Sequence, residues 1–146
     1  MTARRATLSC YAPESSLPRV LVAEDDDLLR RFLVQGLGAA GFAVVAAADG
    51  SEALRVFDEE GPFDALLLDE EMPVTTGRDV LRRLRSLGED LPALMFSGNL
   101  AMTESEQRTL GVEAVIRKPC GLASLVETLC HALAVHVAVD SRHAGH

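Results

Sequence analysis

The stretch LLLDEEMP, residues 66–73, joins three leucines directly to three consecutive acidic residues. The leucines have the residue type and the length of a buried β-strand. Pro73 ends that strand, because proline cannot donate a backbone hydrogen bond to a neighbouring strand. A carboxylate at the end of a buried strand loses part of its contact with water, and desolvation of a charged group is costly. Asp69 is therefore the first candidate functional residue.

The rest of the chain alternates short apolar runs with segments of helical periodicity. Five runs are predicted to be strands: RVLVAED (19–25), FAVVAAAD (42–49), FDALLLD (63–69), LPALMFSG (91–98) and EAVIRKP (113–119). A predicted helix follows each strand, with Ser51 expected to cap the second helix and Thr103 with Glu106 expected to cap the fourth. Five strands alternating with five helices predict an α/β fold, a doubly wound parallel sheet with helices on both faces.

Length and composition predict a single folded domain. The chain has 146 residues, of which 48% are hydrophobic, enough for one core and too few for two. Residues 1–18 lack the apolar segment of a secretory signal and are expected to form a flexible tail. Residues 19–137 are expected to form the domain, and residues 138–146, which lose the helical period, a frayed tail.

Net charge, the length of the apolar runs and the cysteine pattern argue against several classes of protein. The formal net charge is −8, with no basic patch, so direct DNA binding is not expected. No apolar run approaches the roughly 20 residues of a membrane span, so we expect a soluble protein without membrane contact. The three cysteines form no C-x-x-C pair, which favours a reducing, cytoplasmic location.

Polar residues cluster where the predicted strands end. In parallel sheets ligands bind beyond the carboxyl ends of the strands, and those ends carry Glu24, Asp25, Asp69, Ser97 and Lys118. Neighbouring carboxylates raise one another's pKa, and a hard divalent cation such as Mg²⁺ relieves their repulsion. A carboxylate can also attack phosphorus, with a metal and fixed cations to neutralise the transferring oxygens. Lys118 is the one lysine beside thirteen arginines, which suggests that its position needs an ammonium group.

At these residues the chain resembles the receiver domain of bacterial two-component response regulators, the CheY-like domain. The matching motifs are LVAEDD, LLLDEEMP with Gly77, MFSG and KPC, in the family's order. The resemblance covers residues 19 to about 134. It implies a flavodoxin-like (βα)5 sheet with five strands in the order 2-1-3-4-5, a stand-alone single-domain type, and a cis peptide between Lys118 and Pro119.

The resemblance also implies a reaction and its residues. Asp69 would accept a phosphoryl group from a phosphohistidine on a sensor histidine kinase or a histidine phosphotransfer protein. Lys118 would pair with the acyl phosphate, and Ser97 would move to hydrogen-bond it. The protein would thus catalyse its own phosphorylation, and possibly its own dephosphorylation, without being a turnover enzyme in the usual sense.

The implied cofactor is Mg²⁺. Asp25, Asp69 and the backbone carbonyl of Glu71 would bind the ion, and Glu24 would act through water. Phosphorylation would shift the face formed by the fourth helix, fifth strand and fifth helix. That shift would change binding to a downstream protein whose identity the sequence does not give, or phosphate would be relayed onward.

Two departures from the family keep alternatives open. Val115 stands where the family often has an aromatic residue that rotates with the hydroxyl position, and Cys120 stands where phenylalanine is frequent. The chain could therefore be a receiver-fold interaction module with weak or no phosphorylation.

Two other classes of protein fit the sequence less well. A flavodoxin-like nucleotide or flavin binder would need a phosphate-binding loop after the first strand, where the acidic EDDD would repel phosphate. A Mg²⁺ phosphatase of the aspartyl-phosphate type would need a D-x-D pair, whereas the chain has DEE.

Overall fold

A computed structural model gives the fold, and it describes residues 17–99 and 102–144, with side chains as far as residue 136. Five strands alternate with five helices in this part of the chain. They are β1 (Arg19–Ala23), α1 (Asp27–Ala39), β2 (Ala43–Ala47), α2 (Gly50–Glu60), β3 (Ala65–Asp69), α3 (Gly77–Ser86), β4 (Ala93–Ser97), α4 (Glu104–Leu110), β5 (Val112–Arg117) and α5 (Leu122–Ala144). Among the described helices, none has both the length and the apolar character needed to cross a bilayer.

The strands form one parallel sheet in the order β2-β1-β3-β4-β5, which confirms the predicted fold class. Ala23 at the end of β1 pairs with Leu68 of β3. Asp69, one residue further along β3, pairs with Phe96 of β4. The carboxyl ends of β1, β3 and β4 therefore lie side by side, and the polar residues that follow them share one edge of the sheet.

Apolar side chains cover both faces of the sheet. Leu66 and Leu68 of β3 pack with α2 and α3, while the intervening Leu67 packs with α1 and α5. Successive side chains of a strand point to opposite faces, so a sheet covered on both sides needs apolar residues at every position. Full burial of each leucine contributes about 1.5 to 3 kcal/mol to stability. The leucines thus fix the position of Asp69 at the end of β3.

Helix caps agree with the sequence at α4 and differ at α2. The Thr103 hydroxyl accepts a hydrogen bond from the Glu106 amide, and the Glu106 side chain accepts one from the Thr103 amide, as predicted. The prediction that Ser51 caps α2 was wrong. The cap is Asp49, whose carboxylate accepts a hydrogen bond from the Glu52 amide at 2.8 Å, while Ser51 lies inside the first turn.

The structure describes the C-terminal helix almost to the end of the sequence, but it does not describe the first residues. The last helix runs to Ala144, beyond residue 137, after which the sequence predicted a C-terminal tail. Residues 134–144 contain neither glycine nor proline, and backbone hydrogen bonding continues after the apolar period is lost. At the other end, residues 1–16 of the predicted flexible tail lie outside the described residues. The Lys118–Pro119 peptide is cis, as the resemblance implied.

Candidate functional site

Three carboxylates meet where β1 and β3 end. Glu24, Asp25 and Asp69 each offer an oxygen atom within 4.8 Å of the other two. Glu24 and Asp69 are each 1% exposed, whereas Asp25 lies open to solvent. The cluster therefore has two buried acids and one that faces water, so it is accessible from one side. This is the convergence that the strand-end residues predicted.

Lys118 supplies a positive charge to this cluster. Its Nζ lies 3.1 Å from Asp69 Oδ1 and 3.3 Å from Glu24 Oε1. Its backbone amide donates a hydrogen bond to the Ser97 carbonyl at 2.8 Å, which fixes it beside the end of β4. Burial alone would lower the pKa of Lys118. The hydrogen bond to Asp69 and the charges of Asp69 and Glu24 outweigh that effect and raise it, so the side chain stays an ammonium.

Glu24 is the most perturbed acid of the cluster. Burial raises its pKa to about 7, and the charge of Asp69 adds to the rise. The Asp26 amide, which donates to Glu24 Oε2 at 3.1 Å, and the charge of Lys118 act in the opposite direction. A single ammonium thus does not fully compensate the two buried carboxylates, and the site has affinity for a further cation or a proton.

The oxygen atoms of the cluster fit a hard divalent metal ion. Glu24 Oε1 and Asp69 Oδ2 are buried, and no hydrogen-bond donor among the described residues satisfies either atom. The 3.3 Å contact between Glu24 Oε1 and Lys118 Nζ is a charge contact and not an aligned hydrogen bond. A buried acceptor left without a partner is costly, and Mg²⁺ takes carboxylate oxygens as ligands. Glu24, Asp25 and Asp69 could therefore hold such an ion.

Ser97 and Glu71 lie beside the cluster and contact each other. Ser97 is buried, and its Oγ lies 3.2 Å from Glu71 Oε2 and 2.7 Å from the Asn99 carbonyl. A hydroxyl has one proton, so Ser97 can donate to one of these acceptors at a time. Glu71 Oε1 also accepts the Gly98 amide at 3.3 Å. The Glu71 carboxylate thus points at the end of β4, and the metal role predicted for Glu71 concerns its backbone carbonyl.

The loop between β3 and α3 carries two features that the sequence reading missed. Val74 has a φ of 65° and is 99% exposed, an unusual conformation for a β-branched residue. Thr75 packs directly over Gly50 at the start of α2, where its backbone oxygen leaves no room for a Cβ atom. The sequence signal was a valine directly after Pro73, outside the predicted strands and helices.

Val115 and Cys120 occupy the two positions where the family that the chain resembles often has aromatic residues. Val115 pairs with Met95 in the sheet and packs, partly buried, against the core on the α2 and α3 side. Cys120 packs against the opposite cluster, and burial raises the pKa of its thiol. Both side chains fill space near the site, and neither presents a charged or aromatic group to Asp69.

Comparison with known proteins places this geometry in a family. A family model described as the response regulator receiver domain matches residues 20–130. Transcriptional regulatory protein PrrA of Mycobacterium bovis is 42% identical over 113 residues, which cover 75% of this chain and 47% of that protein. Response regulator MprA of Mycobacterium ulcerans is 38% identical over 112 residues, which cover 74% of this chain and 47% of that protein.

A solved structure agrees with these sequence matches. The response regulator receiver domain protein (CheY-like) from Methanospirillum hungatei JF-1 superposes with a TM-score of 0.75 at 28% identity, covering 82% of this chain and 95% of that one. This chain spans about half the length of the curated relatives that it matches. The segment matched by the family model contains Glu24, Asp69, Ser97 and Lys118. The chain belongs to the response regulator receiver domain family.

Proposed function

We propose that the chain is a Mg²⁺-dependent phosphoacceptor, and that Asp69 receives a phosphoryl group from a phosphohistidine on a sensor histidine kinase or a histidine phosphotransfer protein. The observation that carries the proposal is the environment of Asp69. Its Oδ1 lies 3.1 Å from Lys118 Nζ, and its Oδ2 has no donor among the described residues. A carboxylate oxygen without a donor keeps its lone pairs available for a metal ion or for phosphorus, and Lys118 provides a fixed positive charge beside it.

In the proposed reaction, one carboxylate oxygen of Asp69 attacks the phosphorus of the phosphohistidine. An oxygen–phosphorus bond forms, the phosphorus–nitrogen bond breaks, and the imidazole leaves with the electron pair of that bond. Lys118 neutralises charge on the transferring group. Asp25, Asp69 and the Glu71 carbonyl would hold Mg²⁺, with Glu24 acting through water, and the ion when bound supplies further positive charge against the phosphoryl oxygens. Asp69 is 1% exposed, so the donor would approach it from the side of the cluster where Asp25 faces solvent.

The Ser97 hydroxyl supplies the proposed link to output. It now lies between the Glu71 carboxylate and the Asn99 carbonyl. A phosphoryl group on Asp69 would offer it a more highly charged acceptor, and hydrogen bonds to charged groups are stronger than those to neutral ones. Movement of Ser97 toward Asp69 would pull the start of the loop that leads to α4. The proposed output is altered protein binding at the surface of α4, β5 and α5, or onward transfer of phosphate.

The proposed setting is the cytoplasm, where phosphorylation of Asp69 would exert its effect through a protein partner. Two of the curated relatives are named as a transcriptional regulatory protein and a response regulator, and each is about twice as long as the segment it shares with this chain. Those names give no support to the expectation of no direct DNA binding. That expectation stays a prediction, based on the net charge of −8.

The first test is intact mass after incubation with Mg²⁺ and a small acyl phosphate donor. The wild type should gain one phosphoryl group, and the gain should disappear with chelator. Asp69→Asn should gain none, because an amide is not a nucleophile toward phosphorus. Asp58→Asn, which changes an exposed acid on α2, is the matched control and should behave like the wild type. A phosphoryl group on Asp69→Asn would place the acceptor elsewhere.

The second candidate is a receiver-fold interaction module with weak or no phosphorylation. Val115 favours it, because an aliphatic residue packed against the core replaces the aromatic group that the family often uses with Ser97. The two candidates differ in their response to beryllofluoride, a stable mimic of the phosphoryl group. A wild type that gains no phosphoryl group and also fails to bind beryllofluoride with Mg²⁺ would support the interaction module.

A further inference from the structure

Arg78, in the first turn of α3, joins the loop after Asp69 to the start of α4. Its side chain is 18% exposed and lies between two carboxylates from different parts of the chain. Arg78 Nη1 lies 3.1 Å from Glu106 Oε2, and Arg78 Nε lies 3.3 Å from Glu70 Oε2. The first contact is a hydrogen-bonded ion pair, whereas the Nε contact is not an aligned hydrogen bond.

The Glu70 end of this contact is attached to the candidate site. Glu70 follows Asp69 directly, and its amide donates to the Phe96 carbonyl at 3.0 Å, one residue before Ser97. Glu70 Oε1 also accepts the Arg78 amide at 3.0 Å. Arg78 therefore holds Glu70 through both its backbone and its guanidinium, and the backbone that follows Asp69 cannot move without disturbing these contacts.

The Glu106 end is attached to the first turn of α4. Glu106 Oε1 accepts the Thr103 amide at 3.0 Å, which closes the N-terminal turn of the helix. Glu106 Oε2 is the oxygen that meets Arg78. One carboxylate thus caps α4 and also ties the helix to α3. Displacement of α4 must therefore either break the contact between Glu106 and Arg78 or move the Arg78 side chain with it.

We propose that Arg78 is a positioning residue, which holds the start of α4 against the Asp69 loop in the unphosphorylated protein and is released from Glu106 when Asp69 carries a phosphoryl group. This inference rests on the proposed phosphorylation of Asp69. The physical basis is reciprocal coupling: a contact that favours the resting position of α4 opposes a phosphoryl group, and the phosphoryl group weakens that contact by the same factor.

Arg82 provides a matched control one turn further along α3. Its Nη2 lies 3.9 Å from Glu106 Oε2 and its Nη1 lies 3.6 Å from Asp79 Oδ1, but its side chain is 54% exposed. Solvent screening makes such exposed pairs weak. The two arginines share a residue type, a helix and a partner, and they differ in burial and in the contact with Glu70.

The test measures beryllofluoride affinity with Mg²⁺ for the wild type, Arg78→Gln, Glu106→Gln, the double variant and Arg82→Gln. Glutamine at 106 retains the capping interaction with Thr103 while removing the charge. Each single change at 78 or 106 should tighten beryllofluoride binding about three- to tenfold. The double variant should gain no more than either single variant, because both changes remove the same contact. Arg82→Gln should stay within about twofold of the wild type.

Amide hydrogen exchange across residues 103–107 of the unligated protein separates this inference from the function it rests on. Exchange should quicken in Arg78→Gln and Glu106→Gln and stay at the wild-type rate in Arg82→Gln. Unchanged affinity and exchange, weaker beryllofluoride binding, or additive effects in the double variant would each overturn the role of Arg78. A wild type that binds no beryllofluoride, while exchange still responds to Arg78→Gln, would count against the proposed function instead.

Discussion

Lys118 Nζ lies 3.1 Å from Asp69 Oδ1 and thereby joins the chain just after β5 to the last residue of β3. Lys118→Met removes the one ammonium that faces Asp69 and Glu24 among the described residues. Removal of one partner leaves buried charge uncompensated, so the free energy of unfolding at pH 8 in chelator should fall by about 3 kcal/mol. Urea unfolding measures this change, and Mg²⁺ should restore part of the loss.

Arg117→Met is the control for that experiment. Arg117 is the preceding residue, carries the same charge and is exposed, so its removal should change stability by less than about 0.5 kcal/mol. Equal losses for the two variants would mean that Lys118 stabilises the fold through its position in the chain and not through the carboxylates.

Glu24 makes Mg²⁺ binding depend on pH. Its pKa of about 7 in the metal-free fold means that protons compete with the ion below neutrality. The apparent Kd for Mg²⁺ should therefore rise roughly tenfold between pH 8 and pH 6. Titration calorimetry at several pH values measures this change. Glu24→Gln should bind Mg²⁺ more weakly at pH 8 and show a flatter dependence across this range.

The same group should make metal-free stability fall as pH rises. The folded pKa of Glu24 lies above its ordinary value of 4.5, so between pH 4.5 and 7 the folded state binds more protons than the unfolded state. The contribution of Glu24 to the free energy of unfolding is therefore lost progressively across that window, and Glu24→Gln should remove this component. If the free energy of unfolding of the wild type and of Glu24→Gln changed equally with pH, the raised pKa of Glu24 in the folded protein would be contradicted.

Val74 is strained in a way that a substitution can relieve. Its φ of 65° lies in the left-handed region, which a β-branched side chain rarely adopts, and 99% exposure means that its side chain has little packing to lose. Val74→Gly should raise the free energy of unfolding by about 1 kcal/mol. Val74→Ala keeps a Cβ atom and should gain less. Thermal unfolding compares the three proteins, and an alanine variant as stable as the glycine variant would exclude backbone strain as the cause.

Gly50 and Gly38 offer a matched pair on two helices. A Cβ atom at Gly50 would overlap the backbone oxygen of Thr75, so Gly50→Ala must displace the loop between β3 and α3 and should cost about 1 to 3 kcal/mol. At Gly38, in α1, a Cβ atom meets nothing within 4 Å. Gly38→Ala should therefore stabilise the protein by up to about 1 kcal/mol. Denaturant midpoints for the two variants that shift in the same direction would refute the steric reason given for Gly50.

The sequence predicted the fold and the strand-end residues because both depend on simple local patterns. Runs such as Ala65–Leu68 are apolar at every position, which suits a sheet covered on both faces. Asp69 and Lys118 follow such runs, and parallel strands bring their carboxyl ends to one edge. The order of the strands was therefore enough to predict that these acids lie together, and no information on side-chain geometry was needed.

Other contacts had no local pattern to reveal them. Arg78 and Glu106 are 28 residues apart, and they meet because of how α3 and α4 lie against the sheet. The side chain of Glu71 turns toward Ser97 for the same kind of reason. Near Ser51, two residues of capping type lie close together, and only backbone geometry decides that Asp49 is the cap. The helical backbone of α5 continues past the last periodic apolar residues, because the apolar period reports packing and not backbone hydrogen bonding.

Lys118 is the single lysine side chain of the sequence, and it lies inside the candidate site. Reagents directed at lysine amines, whether acetylating agents, fluorescent esters or activated sensor surfaces, would therefore modify the site itself and no other side chain of this kind. Such reagents need the neutral amine, and the acids that raise the pKa of Lys118 also slow its acylation. The rate of lysine labelling thus reports whether Asp69 and Glu24 still hold this ammonium, and immobilisation through lysine would attach the protein through the candidate site.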